Sequence, residues 1–155
     1  MKLFDLKTGD WIEAEISLAS NKDIDQIKFS KEFLFDWSQE KSNSVFKILE
    51  RSSGNILGLI SVTDFAKELR IHINLLEVSK PNTGRNKRIE GIAGRLISFV
   101  VKESFKKGYN GFVSLRPKTA LVKHYKTKYG FKELGKVMVI DGIDALQLIR
   151  KFDKQ

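Results

Sequence analysis

Residues 90–107 constrain the fold more than any other stretch. Ile92, Ala93, Leu96, Ile97, Phe99, Val100, Val101 and Phe105 cover more than half of a helical surface, leaving Arg95, Ser98, Lys102 and Lys106 outward. A helix with so wide an apolar face has to lie against a sheet. Lys106-Lys107-Gly108 then puts cations in the last turn and a glycine at the left-handed cap position, which ends the helix.

The neighbouring segments supply that sheet, in an α/β arrangement. Trp11 to Leu18 alternates with Ile12, Ala14, Ile16 and Leu18 on one face, the pattern of a half-buried strand. Asp23 to Gln39 carries apolar residues at helical spacing, as one broken helix or two short ones. Val45 to Glu50 and Ile56 to Val62 read as a hairpin across Ser52-Ser53-Gly54-Asn55. Glu68 to Val78 alternates until Leu75-Leu76 breaks the period, the mark of a bulge. Gly111 to Leu115 is a short buried strand, and Leu121, Val122, Tyr125 and Tyr129 form one stripe on a further helix. Met138 to Ile140 and Ala145 to Phe152 read as a closing hairpin around Asp141-Gly142. Without repeats or a linker-like stretch, residues 1–155 are read as a single domain.

Composition excludes several chemistries. The chain has no cysteine, hence no disulfide, thiolate metal site or thiol nucleophile, which suits a cytoplasmic protein. No run approaches the roughly 18 apolar residues of a membrane span, so no membrane partner is expected. A metal cluster is not expected either, and no hydrolase elbow or paired metalloprotease histidines occur. Gly130 to Val137 imitates a phosphate-binding P-loop, but Val137 has no hydroxyl for magnesium and the segment follows a helix rather than a strand. The net charge of +9 favours phosphate-bearing partners without naming one.

Arg88-Ile89-Glu90-Gly91-Ile92-Ala93 lies between a strand and a helix start. A glycine-containing loop there can point main-chain N–H groups at an anion, helped by the helix dipole, and a pyrophosphate suits it. Gly91 lets the main chain approach without a Cβ, and Arg88 adds a charged donor. The same residues also read as an ordinary loop with a surface arginine. Downstream comes His124-Tyr125-Lys126-Thr127-Lys128-Tyr129-Gly130-Phe131.

In register, these two segments resemble the GNAT N-acetyltransferases, whose cofactor loop reads Gln/Arg-x-x-Gly-x-Gly/Ala and whose last helix ends Tyr-x-x-x-Gly-Phe. The order of elements is similar over nearly the whole chain. The resemblance implies a mixed, mostly antiparallel twisted sheet flanked by helices, with central strands that splay around the coenzyme. It implies acetyl-CoA as cofactor and an amine-bearing acceptor, small molecule or protein, as partner. Leu76, Val78 and Ser79 would pair with the pantetheine arm, the Val78 N–H facing the thioester oxygen. Arg88, Ile89, Glu90, Gly91, Ile92, Ala93 and Gly94 would hold the pyrophosphate. Tyr125 would give a proton to the leaving thiolate, and either Glu77 or water would take one from the amine. A homodimer through edge strands is compatible with this fold.

Other roles are open for the same residues. Glu77 reads equally as a strand glutamate paired with a lysine, and Tyr125 as a packing residue. His72 and His124 read as structural or surface histidines. About five residues more than is usual separate Val78 from Arg88, so Arg85, Lys87 and Arg88 compete for the phosphate. Lys118 stands where many relatives carry a coenzyme-contacting asparagine. The alternative function is a noncatalytic module gripping nucleic acid with the basic stretches at 80–95 and 118–136. Its weakness is that the aromatic residues are patterned as core rather than as stacking platforms.

Overall fold

The computed structural model describes residues 1–153. The elements follow in the order β1 (Lys2–Phe4), β2 (Trp11–Leu18), α1 (Asn21–Ser30), β3 (Ser44–Glu50), β4 (Ile56–Phe65), β5 (Arg70–Val78), α2 (Ile92–Lys106), β6 (Val113–Leu115), α3 (Val122–His124), β7 (Lys132–Leu134), β8 (Val137–Ile140) and α4 (Gly142–Phe152). The strands form a mixed sheet in the order β1-β2-β3-β4-β5-β6-β8-β7. β5 and β6 run parallel, whereas β1 with β2, β2 with β3, β6 with β8 and β7 with β8 run antiparallel. Among the described residues the chain divides into two compact units, Met1–Ser61 with Leu75–Leu96, and Val62–Asn74 with 97–153.

The first unit buries Ile24 and Ile27 of α1 with Trp37, Val45 of β3 and Leu59 of β4, and Leu75 packs against this cluster. α1 begins with a capping box in which Ser20 accepts from the Asp23 amide at 3.0 Å and the Asp23 carboxylate accepts from the Ser20 amide at 2.9 Å. It ends at Lys31, whose φ of 58° is left-handed. The segment 23–39 is therefore one helix, a loop and a 3₁₀ turn, Trp37–Glu40, started by Asp36. β1 escaped the sequence reading because three residues show no period. It pairs with β2 through Leu3 and Ile12.

Ile71 N at the start of β5 donates to Phe112 O beside β6, and Ser79 N, one residue past the end of β5, donates to Leu57 O of β4.

In the second unit the C-terminal segment corrects the sequence reading. Residues 142–152 are helical, with Ala145 and Leu148 buried and Phe152 half-buried, a spacing of three and four rather than two. The hairpin lies earlier, between β7 and β8, and turns at Gly135 with φ 60°. Two residues assigned to the outer face of α2 are also buried, each by a chain end. Arg95 donates to Lys2 O at 3.1 Å in the first unit. In the second, Ser98 donates to Asp153 at 2.8 Å.

Candidate active site

Glu77 is 8% exposed near the end of β5. Its carboxylate accepts from Leu34 N at 2.6 Å, Phe35 N at 3.3 Å and the Trp37 indole N–H at 2.8 Å. Its partners are these donors of the loop that follows α1 rather than a lysine. The main chain just beyond is held too. Ser79 N donates to Leu57 O and Lys80 N to Glu32 O, both at 2.9 Å. The Ser79 amide is thus committed within the protein rather than to the pairing expected of it with a pantetheine arm.

Arg88 is likewise redirected. Its Nε donates to Asp5 at 2.9 Å, and its two terminal nitrogens donate to Glu50 at 3.2 and 3.0 Å. Asp5 and Glu50 are buried, so the guanidinium neutralises two interior carboxylates instead of waiting for a phosphate. Burial alone would push the Asp5 carboxyl up, but the Lys7 amide, Arg88 and the Thr8 amide outweigh it and hold the group below the usual carboxylate range. Arg88 does the same for Glu50 against the opposing effect of burial, with Ser53 and Ser52 adding donors.

Around this clasp the loop is stitched to the N-terminal segment. Leu6 N donates to Arg88 O at 2.7 Å and Glu90 N to Phe4 O at 3.2 Å. Ile89, 1% exposed, donates its amide to the Asn82 side chain at 3.0 Å. The Ile89 and Glu90 amides therefore point at protein acceptors rather than at a ligand.

What remains of the anion site expected at this junction is the next four residues. Arg95 N donates to Gly91 O at 3.0 Å, so the amides of Gly91, Ile92, Ala93 and Gly94 lie in the first turn of α2, where a helix offers its N–H groups no internal partner. Gly91 has φ 83°, and a Cβ built on it meets nothing within 4 Å, which leaves room for a ligand. Gly58 sets the helix close to β4, since a Cβ there would come within 2.9 Å of Ile92 and 3.1 Å of Leu96. The residues present thus fit a diphosphate at this end of α2. Arg85 is exposed and Lys87 half-buried on the same loop.

The second unit carries Lys118 and Tyr125. Lys118 is exposed at the start of a 3₁₀ turn, Thr119–Leu121. Tyr125 opens a π-helical turn, Tyr125–Tyr129, closed by Gly130 at φ 84°. Four residues separate Tyr125 from Gly130 where the family ending has three, so the match is one residue out of step. The wider turn takes up that residue, with Phe131 N donating to Tyr125 O at 3.2 Å. The Tyr125 ring meets Tyr129 and Phe131 at centroid distances of 5.7 and 5.9 Å, and burial pushes its phenol pKa up. His72 has a structural partner. Arg70 donates to Ser114 Oγ at 2.7 Å, and that hydroxyl shares a hydrogen bond of 2.8 Å with His72 Nδ1.

No protein-family model and no curated protein sequence matches the chain. Solved structures do. Nourseothricin acetyltransferase aligns at TM-score 0.61 and 11% identity over 83% of this chain and 98% of its own. The spermidine/spermine N-acetyltransferase SpeG from Vibrio cholerae, in mutant form, aligns at 0.63 and 15% over 87% and 98%. N-acetylglutamate synthase from Neisseria gonorrhoeae, solved with coenzyme A and L-arginine, aligns at 0.63 and 15% over 84% of this chain and 33% of its own. The chain has the GNAT acetyltransferase fold.

Within this GNAT fold, sequence reasoning missed Asp5, Glu50, Asn82, Glu32 and Gly58. The partners of Arg88 lie 83 and 38 residues away, and no local pattern announces them. Gly58 carried a faint signal, being a glycine inside an otherwise apolar strand, which often marks a close approach.

Proposed function

We propose that this protein is an N-acetyltransferase that passes the acetyl group of acetyl-CoA directly to a primary amine. The observation that supports this best is the first turn of α2, where four consecutive amides and the positive φ of Gly91 make a cradle for a diphosphate. The fold and the acetyltransferase activities named for its structural neighbours support the same reading.

Bound acetyl-CoA supplies an acyl group activated as a thioester. The amides of Gly91, Ile92, Ala93 and Gly94 hold its diphosphate, and Arg85, Lys87 and Lys118 add positive charge. The main chain of Leu76 and Val78 pairs with the pantetheine arm, and the Val78 N–H meets the negative charge that develops on the carbonyl oxygen, an interaction worth roughly 3 kcal/mol where enzymes use it. A lysine-like amine, with a pKa near 10.4, must shed a proton before it attacks. Water takes that proton, because the Glu77 carboxylate is engaged by three donors. Tyr125 holds the proton that the departing sulfur needs, and its raised pKa keeps it protonated at neutral pH.

Titration calorimetry with coenzyme A and acetyl-CoA, followed by acetyl-CoA consumption across an amine panel, tests this. Uptake of coenzyme with amine-dependent consumption is expected. No uptake by folded protein would remove the assignment.

A further inference from the structure

The first unit holds a pocket of about 340 Å³ between α1 and the loop that Glu77 grips. Its floor is Ile24, Ile27 and Trp37, all core residues, and its walls are Phe33, Leu34 and Phe35. Leu34 is 87% exposed, a large apolar side chain standing in water at the edge of a concave apolar surface. Two carboxylates, Asp25 and Asp36, and two ammonium groups, Lys28 and Lys41, stand at the rim, and Lys41 pairs with Asp25 at 2.8 Å. The formal charges at the rim cancel.

We infer that this pocket receives the apolar part of the acceptor, and that the acceptor is a primary amine carrying one apolar or aromatic group rather than a polyamine. The inference rests on the acetyl-transfer reading for calling the ligand an acceptor. The hydrogen bonds that fix the pocket wall fall on both sides of Val78. Glu77 binds Leu34, Phe35 and Trp37, and Lys80 N binds Glu32 O. The apolar wall is therefore fixed to the stretch of β5 assigned to the thioester. A polycation finds the opposite of what it needs, since the rim has no net negative charge and the whole chain carries +9. An apolar group instead gains by leaving water against Leu34, Phe35 and Trp37.

The pocket contains its own reporter. The chain has two tryptophans, and Trp11→Phe leaves Trp37 alone. In that protein, 2-phenylethylamine and 3-phenylpropylamine are expected to change Trp37 emission saturably, and in wild type to be acetylated with lower KM than spermidine. Leu34→Asp should raise the KM for either arylalkylamine about tenfold or more while leaving the affinity for coenzyme A unchanged, and Leu34→Met should restore it. Arylalkylamine binding at Trp37 by protein that takes up no coenzyme would uphold the pocket and remove the transferase reading. Coenzyme uptake without any arylalkylamine signal at Trp37 would overturn the inference and leave the transferase reading intact. Spermidine as the better acceptor, or an unchanged KM in Leu34→Asp, would also overturn it.

Discussion

The indole N–H of Trp37 donates to the Glu77 carboxylate at 2.8 Å, joining residues forty apart at a position where the sequence had offered a general base. Glu77→Gln separates the two roles. The amide keeps the shape but turns one acceptor into a donor facing donors, so stability should fall by about 2–3 kcal/mol, which lowers Tm by roughly 4–12 °C. Calorimetry reads that loss. The acidic limb of the pH–rate profile, where a catalytic base takes up its proton, should keep its apparent pKa in the variant; its disappearance would return Glu77 to the role of base.

The Arg88 clasp predicts acid sensitivity. Asp5 and Glu50 have folded pKa values below their unfolded ones, so their contribution is present above the unfolded values, near 4, and is lost as pH falls through the lowered ones. Wild-type Tm should therefore drop on acidification below about pH 4. Arg88→Met leaves two carboxylates without their cation and raises both pKa values. Its Tm deficit should be largest at neutral pH and shrink as the carboxyls take up protons. A deficit constant from pH 7 to pH 3 would mean that the charges are not what the arginine holds.

Gly91→Ala probes the cradle. The new methyl meets no protein atom within 4 Å, so the free protein bears only the cost of a left-handed alanine, about 1–2 kcal/mol. A bound diphosphate would meet the methyl directly. Coenzyme A affinity by calorimetry should fall about tenfold or more, well beyond what the change in Tm implies. Unaltered affinity would move the diphosphate elsewhere.

Tyr125→Phe should lower kcat by about 10²-fold with coenzyme affinity unchanged, the range expected of a general acid. Because burial raises the phenol pKa, wild-type turnover should show no loss of this proton until above about pH 10. Stopped turnover assays across pH on both proteins settle the point, and equal kcat values would assign the ring to packing alone.

Features carried by local periodicity were legible in the sequence. β2 falls on Trp11–Leu18 as read, and α2 within two residues of its expected start. The C-terminal segment failed because Leu146 and Leu148 alternate over a window too short to distinguish from the three-and-four spacing of Ala145, Leu148 and Phe152. At the candidate site, the strand-to-helix junction could be read because backbone chemistry there depends on residues within one turn. The duties of Glu77 and Arg88 could not be, since donors such as the Leu34 amide belong to every residue type and lie far away in sequence. The π turn at Tyr125 shows a related limit, because a motif one residue too long looks intact until the backbone shows where the extra residue goes.

Glu77 grips Leu34 by its main chain and not by its side chain. Any amino acid except proline offers the same N–H. The identity of residue 34 can thus vary without loosening the anchor, so new preferences for a partner molecule could arise by single substitutions at this position while the strand behind it stays as it is.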